Sequence, residues 1–326
     1  DIAINVDGMP VNMVSHAHGQ GYADLHFLIP ETIDKIDFGK GPYYASKGDF
    51  ATAGYIDFDS KDQLDFSSIG VEVGQFNYFR TVGLFDLLGK QKNQNAYIAT
   101  EYVLSDGPFE SPQNFNRINL FGKYSAILED KSSFQVTLSR FTSKWDASGQ
   151  IPQRLVDDGT ISRFGAVDDT EGGNTSRSNF NVTYRKPIDS STFIKANTFY
   201  SNYNFELFSN FTFFLEDPIN GDQIKQKESR DIYGINAELN KKVVNDNTNL
   251  LFQLGFGVRD DSTNDSELSH TKNRTELLEP IKLGDIDESN VFTYLNTEIR
   301  MGKWLINPAL RLDYFKFGYQ DKLKET

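Results

Sequence analysis

The residues best suited to bind a ligand or a metal lie close together near the start of the chain. Residues 15–22 read SHAHGQGY, and His26 follows shortly after them. A His-x-His pair with a third histidine nearby can offer imidazoles to a transition metal or a metal chelate. The glycines Gly19 and Gly21 are also typical of a tight turn whose polar side chains bond to backbone. Metal coordination, structural hydrogen bonding and direct ligand contact without a metal all stay open for these residues.

The sequence contains no catalytic constellation. It has no cysteine, which excludes thiol nucleophiles, zinc–thiolate sites and disulfides. It has neither a Gly-x-Ser-x-Gly elbow nor a glycine-rich phosphate loop, and the neighbours Ser15 and His16 do not make a triad. We therefore predict no enzymatic activity and no cofactor, and we assign no residue as a metal ligand.

The distribution of charge argues against nucleic acid as a partner and identifies two acidic segments. The formal net charge is -13 and the lysines and arginines form no cluster, so we expect no binding to nucleic acid. Acidic side chains concentrate in residues 260–290 and in the DDTEGG motif at 168–173. Either segment could capture a divalent cation. Solvation of exposed loops explains both segments as well.

The first 60 residues should form a compact unit that positions the histidine segment. Residues 2–6 and 9–12 flank Asp7-Gly8, a pair that is typical of a tight β-hairpin turn. Pro30 suits the first position of a short helix. A strand over residues 36–38 should follow and end at the Gly39-Lys40-Gly41-Pro42 turn.

From residue 64 onward the chain reads as eleven strands whose connections alternate in length. Every second connection is short, as at 128–131 and 187–191, whereas the others reach 143–179, 206–230 and 260–290. Such alternation is typical of an up-and-down barrel with short turns at one end and long loops at the other.

Two properties of these strands favour a membrane. Apolar residues such as Ile118 and Leu120 alternate with polar ones such as Arg117, Asn119 and Lys123, a pattern that a soluble antiparallel sheet would also show. Lengths of about 10 to 14 residues, however, match the roughly 9–11 residues that cross a bilayer as a tilted strand. The 27 Phe and 15 Tyr in a chain with a mean hydropathy of -0.49 fit aromatic belts at the two interfaces. The predicted fold class is all-β, a partial up-and-down antiparallel transmembrane β-barrel.

The first 60 residues resemble the second half of the plug domain of TonB-dependent outer-membrane receptors. The resemblance lies in an Asp-Gly-x-Pro turn, an Ile-Glu-x-Ile-Glu-like strand, a basic-Gly-Pro turn and a glycine-containing exit. These are Val6-Asp7-Gly8-Met9-Pro10, Ile33-Asp34-Lys35-Ile36-Asp37, Lys40-Gly41-Pro42-Tyr43-Tyr44 and residues 48–58. Departures are Lys40, where arginine is common, and residues 46–54, which replace the usual Tyr-Gly-Ser and paired-glycine exit.

The resemblance implies a domain organisation. Residues 1–60 would be the C-terminal part of a small α+β plug domain, and residues 61–326 the N-terminal part of the barrel, with about eleven strands. Because the sequence begins at Asp1 without a Met or a signal peptide, we expect its natural N-terminus to lie upstream.

The resemblance also implies a function. Such a receptor, in the outer membrane of a Gram-negative bacterium, imports a scarce solute, most often a metal chelate such as a ferric siderophore. Its partners would be the inner-membrane TonB complex, outer-membrane lipid and lipopolysaccharide. The plug apex would place His16, His18, Gln20 and Tyr22 against the ligand, while Lys40 and Pro42 would anchor the plug to the barrel. The alternative is a surface-exposed all-β glycan-binding or adhesion module, which predicts long loops at both ends and a hydrophilic outer face.

Overall fold

A small mixed sheet forms the N-terminal unit, residues 1–60. The computed structural model describes residues 1–89, 91–245 and 247–324. Within the N-terminal unit the strands lie in the order β2-β1-β4-β3, with β1 and β4 parallel and the outer pairs antiparallel. Their bounds are β1 Ile2–Val6, β2 Met9–Pro10, β3 Ile33–Lys40 and β4 Gly54–Ser60, with a 3₁₀ turn at Pro30–Thr32.

The local sequence explains these elements. Asp7 and Gly8 have φ values of 50° and 82°, so the β1–β2 turn is the type that Asp-Gly favours, and the predicted hairpin is confirmed. Pro30 opens the 3₁₀ turn as expected, and Thr32 closes it by donating its hydroxyl to the Ile29 carbonyl at 2.7 Å. Strand β3 starts directly after this turn and is longer than the predicted 36–38 segment.

The rest of the described chain forms one large antiparallel sheet. Twelve strands within the described residues follow one another in chain order, except that β15 and β16 both pair with β14. Their bounds are β5 Ser68–Val73, β6 Phe79–Asp86, β7 Gln94–Ser105, β8 Phe115–Ile127, β9 Ser133–Ala147, β10 Glu171–Pro187, β11 Thr192–Ser209, β12 Ile224–Asn245, β13 Thr248–Lys272, β14 Glu276–Met301, β15 Trp304–Ile306 and β16 Ala309–Asp321.

The connections have the predicted asymmetry, with one exception. Residues 148–170, with a short helix α1 at Gln153–Asp157, and residues 210–223 are long loops at one end of the sheet, whereas 188–191 is a short turn at the other. The prediction of a long loop over residues 260–290 is wrong. Strands β13 and β14 stay paired up to a three-residue turn, 273–275, in which Asn273 and Arg274 both have positive φ.

The two faces of the large sheet have opposite chemistry. On the outer face, apolar side chains such as Ile118 and Leu120 are 43% and 52% exposed. On the inner face, the polar neighbours Asn119 and Lys123 are only 1% and 5% exposed. A soluble protein buries its apolar side chains and exposes its polar ones, so this sheet has the reverse arrangement. No helix in the described part of the chain is long and apolar enough to cross a membrane.

The N-terminal unit packs against the inner face. Val6, Met9 and Phe27 form one buried cluster with Phe199 and Ile232, which come from β11 and β12. Full burial of an aliphatic or aromatic side chain stabilises a fold by about 1.5–3 kcal/mol. This cluster therefore fixes the segment that carries the histidines against the sheet.

Candidate ligand-binding site

The histidine-bearing segment is a closed loop, residues 13–22, which we call the apical loop. Its ends are joined by two backbone hydrogen bonds, from Met13 N–H to the Tyr22 carbonyl and from Gly21 N–H to the Met13 carbonyl, both at 2.8 Å. The buried Asn12 side chain donates to the Ile2 and Gly21 carbonyls at 3.0 Å each. Gly19 and Gly21 have φ values of 108° and 79°, which only glycine adopts without strain. The loop is therefore built as a fixed turn.

Three of the four predicted ligand-binding residues meet in one aromatic cluster. The His16 ring stacks on Tyr22 with a centroid distance of 4.1 Å and an interplanar angle of 9°. His18 lies 5.4 Å from both of these rings, and Phe205 on strand β11 covers the cluster from the sheet at 4.6 Å from His16. Gln20 is exposed at the tip of the apical loop. The cluster offers stacking surfaces and the loop tip offers an amide.

Hydrogen bonding and burial keep His16 neutral. Burial, with help from the charges of His18 and Arg230, lowers the pKa of His16 to about 3. Its Nδ1 accepts the His18 backbone N–H at 3.1 Å, so the ring proton resides on Nε2, which lies 3.5 Å from the Tyr203 hydroxyl. A neutral ring in this tautomer has no lone pair left for a metal.

His26 belongs to a different cluster. Its Nδ1 lies 2.7 Å from the buried Asp24 carboxylate, and this hydrogen bond raises the pKa of His26 above its usual value. Burial alone would raise the pKa of Asp24, but hydrogen bonds from His26 hold it below its usual range. The three N-terminal histidines thus do not converge. In the described residues no group of three or more histidine, aspartate or glutamate side chains could hold a metal ion.

One residue from each of eight neighbouring strands forms a continuous line beneath this segment, which we call the contact row. Strand register places each member directly opposite the next, and all are buried. The members are Val82, Glu101, Asn119, Phe141, Arg177, Tyr203, Arg230 and Thr263.

The contact row holds residues 15–27 from below. Asn119 donates to the His26 carbonyl at 2.9 Å, and the guanidinium of Arg177 lies 4.9 Å from the centre of the Phe27 ring. Arg230 donates to both the Ser15 carbonyl and the Ser15 hydroxyl, the latter at 2.9 Å. Sequence reasoning identified inward polar positions but not this row, since its register depends on how the strands are staggered.

Comparison with known proteins decides the fold. No family model and no curated protein matches the sequence. The ferric citrate transporter FecA in its unliganded form superposes with a TM-score of 0.82 at 14% identity, over 99% of this chain and 48% of that one. The siderophore receptor PiuA from Acinetobacter baumannii superposes with a TM-score of 0.75 at 13% identity, over 98% of this chain and 51% of that one. The ferric-catecholate import receptor Fiu from E. coli K12, in its open form, superposes with a TM-score of 0.72 at 13% identity, over 98% of this chain and 53% of that one.

The fold is that of the TonB-dependent outer-membrane receptors. The predicted fold class, a partial antiparallel barrel with part of a plug, is thereby confirmed. The chain spans about half the length of the solved structures that it matches. From here on the N-terminal unit is called the plug unit and the large sheet the barrel wall.

An ionic network joins the plug unit to the barrel wall. Glu101, 1% exposed, accepts hydrogen bonds from Arg80 at 2.7 Å and from Arg117 and Asn119 at 2.9 Å each. Arg80 also donates twice, at 2.8 Å, to the carboxylate of Glu31 in the 3₁₀ turn. Hydrogen-bonded charges that leave water together are compensated only if the whole network is intact.

The predicted anchors lie away from this network. Lys40 and Pro42 are exposed at the end of β3, and their anchoring role stays a prediction. Other plug–wall contacts run through backbone: Lys123 donates to the Ser60 carbonyl at 2.9 Å, and Arg311 to the Ala45 carbonyl at 3.0 Å.

The acidic loop residues fasten the long loops to one another. The Asp168 carboxylate accepts from Thr170 and from Asn210, each at 2.9 Å. Arg274 at the β13–β14 turn pairs with Asp146 at 2.8 Å. These loops form one interconnected layer at the end of the barrel wall to which the apical loop points.

Proposed function

We propose that the chain is part of an outer-membrane receptor that captures a scarce extracellular solute and imports it into the periplasm. The observation that carries the proposal is the reversed burial of the barrel wall. An apolar outer face suits lipid, and a polar inner face filled by a plug unit suits a gated aqueous path. The energy would come from the inner-membrane TonB complex, and lipid and lipopolysaccharide would surround the wall of this Gram-negative outer-membrane protein.

The proposed ligand is a metal chelate such as a ferric siderophore. Support comes from the matched structures, which are described as a ferric citrate transporter, a ferric-catecholate import receptor and a siderophore receptor. His16, His18, Gln20 and Tyr22 would contact the organic shell of the chelate. Because the His16 lone pair is already used, stacking and hydrogen bonding would hold the ligand without direct coordination of its metal.

The alternative, a glycan-binding or adhesion module, is disfavoured by the surface chemistry. It requires a hydrophilic outer face and long loops at both ends. The outer face instead exposes residues such as Leu138, Ile235 and Leu254, each at least half exposed. Apolar side chains that are exposed together on one face of a sheet indicate contact with lipid or with another apolar surface.

Two experiments test the proposal. The full-length protein should remain dispersed only in detergent or lipid; a protein that stays monomeric in plain buffer would overturn it. In iron-limited cells, deletion of the gene should abolish the uptake of radioactive ferric siderophore supplied by the same bacterium, and a protonophore should have the same effect. Uptake that is unchanged by the deletion would refute the iron-chelate assignment while leaving the membrane assignment intact.

A further inference from the structure

A chamber lies between the plug unit and the barrel wall, below the apical loop. Its volume is about 280 Å³, and its lining includes Asn5 and Asp59 from the plug unit and Asn197, Asn236 and Tyr294 from strands β11, β12 and β14. Volumes of about 300 Å³ mark the lower end of sites for small molecules. The described residues that line it lie outside the aromatic cluster of His16 and Tyr22.

Three glycines of the barrel wall make room for aromatic rings along this chamber. Gly234, Gly255 and Gly257 stand directly opposite Phe199, Tyr294 and Phe292 in the strand register. A Cβ atom at these glycines would lie 2.2, 2.1 and 2.3 Å from the respective ring. The rings therefore lie flat over the backbone of the neighbouring strand, where any larger residue would push them into the chamber.

The polar part of the lining is rich in amides and balanced in charge. Asn5, Asn197, Asn236 and Asn290 all line the chamber. Asn197 is 5% exposed, and its Oδ1 has no hydrogen-bond partner among the described residues, which leaves a buried acceptor unsatisfied.

Each cation of the lining has an acidic neighbour. Lys47 pairs with Asp57, Arg259 with Asp261 and Arg311 with Asp313. Lys195 lies close enough to Asp59 to interact with it electrostatically. The lining as a whole has four basic side chains, Lys47, Lys195, Arg259 and Arg311, and four acidic ones, Asp49, Asp57, Asp59 and Glu238. An ionic ligand would therefore lose its hydration without a net opposite charge to replace it.

We propose that the chamber is a second binding site, for an uncharged polar ring compound of sugar size. The rings supply flat apolar surfaces, and the amides supply both donors and acceptors. The site goes beyond the proposed import function, because its occupant need not be the imported solute.

The chamber extends between the apical loop and the short turns of the barrel wall. Arg259 donates to the Asn12 carbonyl at 2.7 Å, and both residues line the chamber on the side of the apical loop. Asp59, Lys195 and Glu238 also line a second cavity of about 930 Å³, which reaches the short turns of the barrel wall near Ser133 and Gln253. The two cavities therefore adjoin at these three residues.

Cysteine protection tests this site directly. The sequence has no cysteine, so Asn236→Cys introduces one thiol into this part of the full-length protein. Its labelling by N-ethylmaleimide is measured with glucose, gluconate or glucosamine present, three probes of one size and different charge. Ile235→Cys is the matched control, because Ile235 adjoins Asn236 along β12, is 50% exposed on the outer face and does not line the chamber. Asn5→Cys reports from the plug side should Asn236→Cys fail to fold.

The proposal predicts saturable protection by the neutral sugar alone. At glucose about tenfold above its dissociation constant, labelling of Asn236→Cys should slow about tenfold, since only the unoccupied site reacts. Gluconate and glucosamine should give no saturable protection, and glucose should give none at the Ile235→Cys control. A thiol at Asn236 that never reacts, equal protection by the charged probes, or no protection by glucose would overturn the proposal. The uptake of ferric siderophore is measured in a separate experiment, so the second binding site and the proposed import function can be refuted independently.

Discussion

Among single side chains, His16 and His26 show what a sequence can and cannot reveal about a site. Their spacing placed both in one candidate set, and the structure brings His16 together with His18 and Tyr22 but not with His26. The hydrogen bond to Asp24 favours a charged His26, whereas burial and the charges of His18 and Arg230 keep His16 neutral. The His16 ring also lies 3.5 Å from the Tyr203 hydroxyl. Tyr203 is 187 residues away from His16 in the chain, so no local pattern could have indicated that contact.

Replacing Asp24 by Asn should destabilise the plug unit in a pH-dependent way. The raised pKa of His26 contributes stability that is complete below pH 6.5 and is lost as pH rises through the raised value. The lowered pKa of Asp24 contributes stability above pH 3.8 that is lost as pH falls through the lowered value. The difference in unfolding free energy from the wild type should therefore be largest between pH 3.8 and 6.5. It should be about 1 kcal/mol or less, since His26 is more than half exposed.

Thermal unfolding of the full-length protein across pH measures this difference. His16→Gln is the control, because His16 stays neutral above about pH 3 and its replacement should have an effect that does not vary with pH. A deficit in Asp24→Asn that grows above pH 8 would contradict the assignment of the pair.

At the level of elements, the sequence predicted the strands inside the proposed membrane zone and missed their extensions. Strands β13 and β14 have 25 and 26 residues, well beyond the roughly 9–11 that cross a bilayer. Beyond that zone the buried inner-face positions of β13 are polar, as at Asp261 and Thr263, and the outer face no longer needs apolar residues, so the alternation of apolar and polar residues disappears. Ser262-Thr263-Asn264-Asp265 therefore reads as a loop, although Ser262 and Thr263 stay paired with β14 and only Asn264 and Asp265 fall at a register shift.

Replacing Glu101 by Gln should loosen the plug unit. The change leaves Arg80 and Arg117 without their shared buried carboxylate, and breaking one partner of a buried ionic network costs about 3–5 kcal/mol. Glu298→Gln is the matched control, since its pair with Arg300 is solvent-exposed and should contribute below about 1 kcal/mol. Denaturant unfolding of both variants in detergent gives the two values; similar values would contradict the role of the network.

Replacing Arg274 by Ala should free the tip of the β13–β14 hairpin. Arg274 bonds to Asp146 and to the Thr170 and Glu171 carbonyls, so its loss detaches the tip from the loop that precedes β10. Limited proteolysis with an enzyme that cleaves after acidic residues should cut residues 260–290 several times faster than in the wild type. Lys282→Ala, at an exposed position of the same hairpin, should leave the rate unchanged, and equal rates in all three proteins would refute the link.

For the whole molecule, the fold class followed from strand length and connection asymmetry, whereas the packing of the plug unit did not. The role of Lys40 as an anchor stays a prediction, and the plug–wall contacts in the structure include Glu31, Ser60 and Ala45. Ser60 and Ala45 accept through backbone carbonyls, which every residue type has, so side-chain patterns do not indicate these bonds.

The central claim is that the outer face of the barrel wall meets lipid while the inner face meets a hydrated interior. A nitroxide spin label at Ile235 or at Asn236, in the full-length protein in a bilayer, tests it in two adjacent residues of β12. We predict that the label at Ile235 collides with oxygen and not with a water-soluble nickel chelate, and that the label at Asn236 shows the opposite preference. Access of the nickel chelate to both positions, or only to Ile235, would contradict the account.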